Sequence, residues 1–320
     1  KTKPTQNAVR QLNAYGVQPD ILIARSPLPL DDKRKEKLSL SVNIHPEQII
    51  SAPDVDSIYD VPTNFERDRL SDTLLKLMGK RGKHASDMSE WETFAKRAHN
   101  GNGKVKIGIV GKYFDTGDFV LSDAYISVIE AIKFSAYAQH VKAEIHWLNA
   151  KTYQQKPESV EELRQYDGII VPGGFGETGI EGKINAIRFV RENKIPYFGL
   201  CYGMQLLTVE YARHVAGIDG AHTTEINPKT THPIIDILPD QRAKLAKKDY
   251  GGSMRLGAYP CELVGNTIAA HAYGAHKISE RHRHRYEVNP AYIERLEKAG
   301  LIFSGKSPDG HLMEIAELPK

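Results

Sequence analysis

Cysteine is scarce in this 320-residue chain: Cys201 and Cys261 are its two thiols. Two distant cysteines build neither a disulfide framework nor a paired zinc site, and such usage suits a reducing cytosol. Charge of one sign is lacking too. Lys and Arg number 43 against 40 Asp and Glu, for a net charge of +3. No global field would draw the molecule to nucleic acid or to a membrane surface. No apolar run approaches the ~20 residues of a membrane span. The N-terminus, Lys1-Thr-Lys-Pro-Thr-Gln6, has no signal-peptide core and does not begin with Met. Internal repeats and low-complexity tracts are missing as well. So is any Gly-x-x-x-x-Gly-Lys-Ser/Thr phosphate loop.

What is present is enough chain for one and a half to two domains. Residues 1–78 read as the tail of a domain, with too few apolar segments to close a core alone. A short helix is expected at Ala8–Tyr15, a buried strand at Pro19–Arg25, a charged helix at Asp31–Leu40 and a strand at Gln48–Ser51. A last helix runs through Leu70–Met78. Residues 79–103, rich in Lys, Arg, His, Ser, Asn and Gly, read as an interdomain linker around the amphipathic stretch Glu90–His99.

From residue 104 strands alternate with helices. Strands are expected at Val105–Val110, Ala143–Leu148, Gly168–Val171 and Pro196–Leu200. Helices are expected at Ser122–Gln139, Val160–Gln165, Gly182–Glu192 and Met204–Ala216. That order argues for an α/β fold with a doubly wound parallel sheet, whose ligands bind beyond the carboxyl ends of its strands. The turn-rich stretch 217–320 is expected to extend the sheet and line the site.

The most informative residues are Ile195–Gln205, an apolar strand entering Gly-Leu-Cys-Tyr-Gly and then a helix. Gly199 and Gly203 flank Cys201 as glycines flank the nucleophile of a strand–turn–helix elbow, where the turn leaves no room for a Cβ. The helix start behind the sulfur is expected to favour thiolate. The preceding strand runs into Pro172-Gly-Gly-Phe-Gly176, whose Gly173 and Gly174 amides could join the Tyr202 N–H in an oxyanion hole. A cysteine nucleophile needs a base, commonly histidine. Among thirteen histidines, those at 222, 232, 271, 276, 282, 284 and 311 remain candidates by position, and none completes a triad on sequence grounds. Glu280-Arg-His-Arg-His-Arg-Tyr286 suits a solvated edge strand or, with Arg281, Arg283 and Arg285 on one face, a carboxylate anchor. Lys1–Gln6 with Lys37 suits a polyphosphate, or is a frayed basic terminus.

Together these segments resemble the CTP synthase family. Lys1–Gln6, Gln18–Ile23 and Asp54–Tyr59 are similar to the end of its synthetase domain, the remainder of an α/β P-loop-type unit. Val110–Tyr113, Val171–Gly176, the Cys201 elbow, Gly251–Gly257 and Glu280–Asn289 are similar to its class I glutamine amidotransferase domain, here residues 104–320. The resemblance implies ATP-dependent amination of UTP to CTP with ammonia cut from L-glutamine. It implies Cys201 as the catalytic nucleophile, and Gly174, Tyr202, Gly203, Met204, Gln205, Glu225 and Arg285 as glutamine contacts. Lys1, Thr2, Lys3, Pro4, Thr5, Gln6 and Lys37 would meet UTP, or CTP as feedback inhibitor. Asp54, Val55 and Asp56 would meet ATP, and GTP, as allosteric activator, would lie near Phe175 and the 111–123 loop. That loop carries Asp115–Phe119, and Ile126 stands where many bacterial members have lysine.

The resemblance further implies Mg²⁺, no metal ligand within this chain, a cytoplasmic homotetramer, and no nucleic-acid or membrane partner. The family's P-loop and magnesium-binding acids would precede Lys1. Its His-Pro-Glu would follow Lys320, so the chain reads as an internal fragment, inactive alone. The competing readings are a stand-alone γ-glutamyl hydrolase and a catalytically dead binding or filament module.

Overall fold

The computed structural model describes residues 2–82, 87–111, 125–174, 176–237 and 254–318. The chain divides into two compact units: residues 1–103 with 133–142, and residues 104–132 with 143–320.

The first unit opens on helix α1, Lys3–Ala14, which starts earlier than the apolar pattern indicates. Pro4 explains this, since its fixed φ and missing N–H suit the first helical turn. Strand β1, Leu22–Ser26, precedes helix α2, Asp32–Val42, capped by the Asp31 carboxylate on the Arg34 N–H. Strand β2, Ile49–Pro53, pairs in parallel with β1. Val9 of α1 and Leu38 and Val42 of α2 form a small core with Ile44 and Ile49. Helices α3 (Val61–Arg67), α4 (Leu70–Leu77) and α5 (Ser89–His99) follow. Tyr59 gathers Phe94 and Phe134 edge-on at 5.0 and 5.3 Å, and the Trp91 indole N–H donates to the Tyr59 carbonyl at 2.8 Å.

The second unit is built on a four-stranded sheet ordered β4-β3-β5-β6. Its strands are β3 (Lys104–Gly111), β4 (Lys142–Asn149), β5 (Gly168–Val171) and β6 (Tyr197–Gly199). Helix α6 (Ile126–Ala138) joins β3 to β4, and Tyr125, Val128 and Ile132 pack on Ile109 as the periodicity requires. Helix α7 (Ala150–Gln155) and a 3-10 turn over Pro157–Gln165 replace the single helix expected at Val160–Gln165. Helices α8 (Ile180–Glu192) and α9 (Tyr202–His214) flank β6 in sequence. Residues Tyr202–Ala212 of α9 are buried almost throughout, so this helix lies in the core rather than on it.

The expectation that residues 217–320 extend this sheet is corrected. Strands β7 (Ala221–Thr223), β8 (His232–Ile237) and β11 (Tyr286–Val288) form a three-stranded sheet ordered β11-β8-β7. Strands β9 (Arg255–Leu263), β10 (Lys277–His284), β12 (Ile302–Lys306) and β13 (Met313–Glu317) form another, ordered β10-β9-β12-β13. The β9–β10, β9–β12 and β12–β13 pairs are antiparallel, which turn-rich sequence allows without crossover helices. Helix α10 (Ile268–Tyr273) links β9 to β10, and α11 (Pro290–Lys298) links β11 to β12.

Candidate active site

Parallel strands β5 and β6 end side by side, Val171 opposite Gly199, so the glycine loop and the cysteine turn leave the same sheet edge. Cys201 caps α9 with φ 51° and ψ −100°. A side-chain-bearing residue is rare at positive φ, and such strain collects at reactive positions. Both flanking glycines are sterically required. A Cβ on Gly203 would stand 2.2 Å from the Val171 carbonyl oxygen, and one on Gly199 would stand 2.6 Å from both the Gly203 carbonyl carbon and the Tyr197 hydroxyl. The Tyr197 hydroxyl donates to the Gly203 carbonyl at 2.9 Å, and the Leu200 N–H donates to Val171 at 2.9 Å. These bonds clamp the turn from both sides.

The glycine loop approaches the sulfur closely: a Cβ on Gly173 would lie 4.0 Å from Cys201 Sγ. At the loop's far end the Gly176 N–H donates to Glu225 at 3.2 Å. Gln205 is buried, and its Nε2 donates to the Tyr286 carbonyl at 2.9 Å, next to Arg285. Cys201 Sγ lies 4.0 Å from the Arg283 carbonyl. Gly174, Tyr202, Gln205, Glu225 and Arg285, widely spaced in sequence, thus belong to segments that these contacts join around one thiol. Tyr202 itself is buried, with the Lys183 ammonium 5.5 Å from its ring centroid.

The thiol corrects one expectation. Residue 201 opens to solvent, yet the sulfur stands among enough protein that its pKa is pushed up to about 11. Burial is the main cause. The Tyr202 N–H lowers it, as a helix start should, but Glu287 and Glu225 raise it further. At rest the group is thiol. Among the described residues the thiol donates toward the Arg283 carbonyl, not to an imidazole.

The Arg–His strand resolves by burial. Along β10 exposure alternates, with Arg281 and Arg283 outward and His282 and His284 inward, while Arg285 sits half-buried between β10 and β11. The histidines meet Arg255, Glu287 and Glu314, none of which sequence reasoning singled out. Period-two alternation was visible, but not which face turns inward.

In the first unit, residues 2–6 are a helix start rather than a frayed end. Thr2 and Gln6 are buried and share a 3.3 Å side-chain hydrogen bond, while Lys3, Pro4 and Lys37 are exposed. Asp54, Val55 and Asp56 follow β2 at the carboxyl edge of the parallel pair, and Asp54 bonds Arg25 at 2.8 Å. Lys1, Phe175 and residues 112–123 of the 111–123 loop lie outside the described residues.

Family models match both parts of the chain. Residues 120–320 match the class-I glutamine amidotransferase family, and residues 1–79 match the CTP synthase N-terminus. A solved structure of the Trypanosoma brucei CTP synthase glutaminase domain, with bound acivicin, superposes with a TM-score of 0.61 at 36% identity. It covers 67% of this chain and 81% of its own. The chain belongs to the CTP synthase family. The CTP synthase of Methanocaldococcus jannaschii is 46% identical over the whole chain, and that of Geobacillus kaustophilus 44% identical over 99% of it. The chain spans 58% of the length of these CTP synthases. No helix among the described residues is long and apolar enough to cross a membrane.

Proposed function

We propose that Cys201 cuts ammonia from L-glutamine and that this ammonia aminates UTP to CTP at the expense of ATP. The observation that carries the reading is the strained Cys201 turn facing the Gly173 loop at one sheet edge. As Sγ attacks the side-chain amide carbon of glutamine, the proton of the resting thiol passes to the amide nitrogen, which thereby leaves as ammonia. The oxygen that becomes negative is stabilised by backbone N–H groups of Tyr202 and the Gly173–Gly174 loop. Collapse expels ammonia and leaves a glutamyl thioester, which water hydrolyses. Gly203, Met204 and Gln205 line the turn, while Arg285 pairs with the substrate carboxylate and Glu225 with its ammonium.

In the same reading, residues 1–78 are the end of the synthetase domain, 79–103 a linker and 104–320 the amidotransferase domain. Residues 1–6 with Lys37 contact UTP or inhibitory CTP, Asp54–Asp56 contact ATP, and GTP activates near Phe175. The assembly is a cytoplasmic homotetramer. Among the described residues no group of three or more His, Cys, Asp or Glu side chains is arranged to hold a cation. The N-terminal match favours this reading over a stand-alone hydrolase, which needs no nucleotide-contacting half.

The test is Cys201→Ala in the protein that carries this chain. Glutamine-dependent CTP formation should vanish, while formation from free ammonia should persist. Glutamine-driven turnover in the variant would remove Cys201 from the mechanism.

A further inference from the structure

A buried cluster of titratable side chains lies behind the strand that faces the thiol, and the reaction above leaves it unused. Arg255 on β9, His282 and His284 on β10, Glu287 on β11 and Glu314 on β13 converge there. Arg255 lies 2.7 Å from Glu314 and 3.5 Å from Glu287. His282 Nδ1 is 2.7 Å from His284 Nε2 and 3.5 Å from Glu314 Oε2, while His284 Nδ1 is 3.2 Å from Glu287 Oε1. All five side chains are nearly closed to solvent, from 3% exposed at Glu314 to 12% at His284. Tyr259 covers the group, its ring 4.3 Å from the guanidinium of Arg255 and 5.5 Å from His282.

The charges do not balance. One guanidinium faces two carboxylates, and a buried uncompensated charge is costly. Retaining one proton removes the excess. Burial and Glu314 push Glu287 up to about 8 against the pull of Arg255. Burial, His282 and Arg255 push His284 down to about 4, so the imidazole is neutral. Burial and Arg255 lower His282 against Glu280, and burial raises Glu314, with Asp309 adding to it and Arg255 opposing. His282 Nε2, His284 Nδ1 and Glu314 Oε1 have no aligned hydrogen-bond partner, so the hydrogen bonding has room to rearrange. Arg283 turns its carbonyl to Cys201 Sγ, Tyr286 accepts from Gln205, and a charge on Glu287 is felt at the sulfur.

We propose that Arg255, His282, His284, Glu287 and Glu314 are a positioning network that holds one proton under the 283–287 segment, and that losing this proton sets a negative charge against Cys201. The inference rests on Cys201 being the reactive thiol. Below the ionisation of Glu287 the sulfur faces Glu225 as its carboxylate neighbour, and above it two, so thiolate formation is held back as pH rises.

The test is iodoacetamide alkylation in the protein that carries this chain, followed at residue 201 by peptide mass between about pH 6 and pH 10. Glu287→Gln removes the charge and should lower the alkylation midpoint by about half a pH unit, or about threefold in rate on its acid side. Glu314→Gln should act in the opposite direction near neutral pH, because Arg255 then holds Glu287 ionised beside the sulfur. Glu287→Asp should restore the native profile. Opposite shifts separate a charge effect from general damage, which would move both variants alike. Equal midpoints in the native protein and both Gln variants, or shifts of the same sign, would overturn the network. Alkylation needs no glutamine turnover, so failure of the glutaminase reading in Cys201→Ala leaves this result able to decide the network separately.

Discussion

A single methyl group added at residue 203 should disable the site. In Gly203→Ala the new Cβ would sit 2.2 Å from the Val171 carbonyl oxygen, where ordinary contact begins near 3.4 Å. The turn must therefore retreat by more than 1 Å. Both sides resist, because Val171 also accepts the Leu200 N–H and the Gly203 carbonyl accepts the Tyr197 hydroxyl. Overpacking of a closed site costs about 1–3 kcal/mol, and for a domain of this size each kcal/mol lowers Tm by about 2–4 °C. A displacement of about 1 Å at reacting groups costs about 10²-fold in rate. Scanning fluorimetry and glutamine-dependent ammonia release read the two effects. Gly217→Ala is the control: its Cβ has open space but a φ of 61°, so it should cost about 1 kcal/mol and leave the rate unchanged. A Gly203→Ala protein with native Tm and native turnover would refute the steric account of the elbow.

Arg285→Ala should raise the KM for glutamine by about 10²-fold and leave that for ammonia unchanged, as a lost charge-assisted pair requires; equal effects on both substrates would mark it as structural. Arg191→Met should destabilise the fold by about 3 kcal/mol in urea titration, because Arg191 meets the fully buried Glu210 at 2.7 and 2.9 Å and its removal leaves that carboxylate to the His214 Nδ1, 3.1 Å away. Stability should also respond to pH through Glu287. Its folded pKa, near 8, lies above the usual carboxylate value, so the folded state binds the extra proton and stability falls as pH rises toward 8. His284, pushed down to about 4, opposes this with stability that rises up to its unfolded value of 6.5. The net loss therefore appears between pH 6.5 and about 8, at up to ~1.4 kcal/mol per pH unit, and Glu287→Gln should abolish it.

The elbow and its sheet were readable in the chain because their signals are local. Gly199, Cys201 and Gly203, behind the apolar run from Ile195, announce a strand, a tight turn and a helix within a few residues of one another. The start of α1 was missed because Pro4 acts through backbone geometry, which an apolar count does not register. The thiol's ionisation was misjudged for a different reason. A helix start is visible in sequence, but the burial of the sulfur, and after it the charges of Glu287 and Glu225, come from distant segments through tertiary packing alone. The same distance hid the inward face of β10. Nothing near His282 or His284 in sequence foretells Arg255 or Glu314.

The backbone of Cys201, at φ 51° and ψ −100°, has a consequence for how this activity could be lost. Such a conformation costs a side-chain-bearing residue on the order of 1–3 kcal/mol, and glycine escapes most of that cost. Exchanging the cysteine for glycine would therefore destroy the chemistry while leaving the chain as comfortable in its fold as before, or more so. Quality control that discards misfolded protein would let the inert form pass. A library sorted on folding alone would drift away from cysteine at this position, and retaining it requires a selection on the chemistry of the thiol itself.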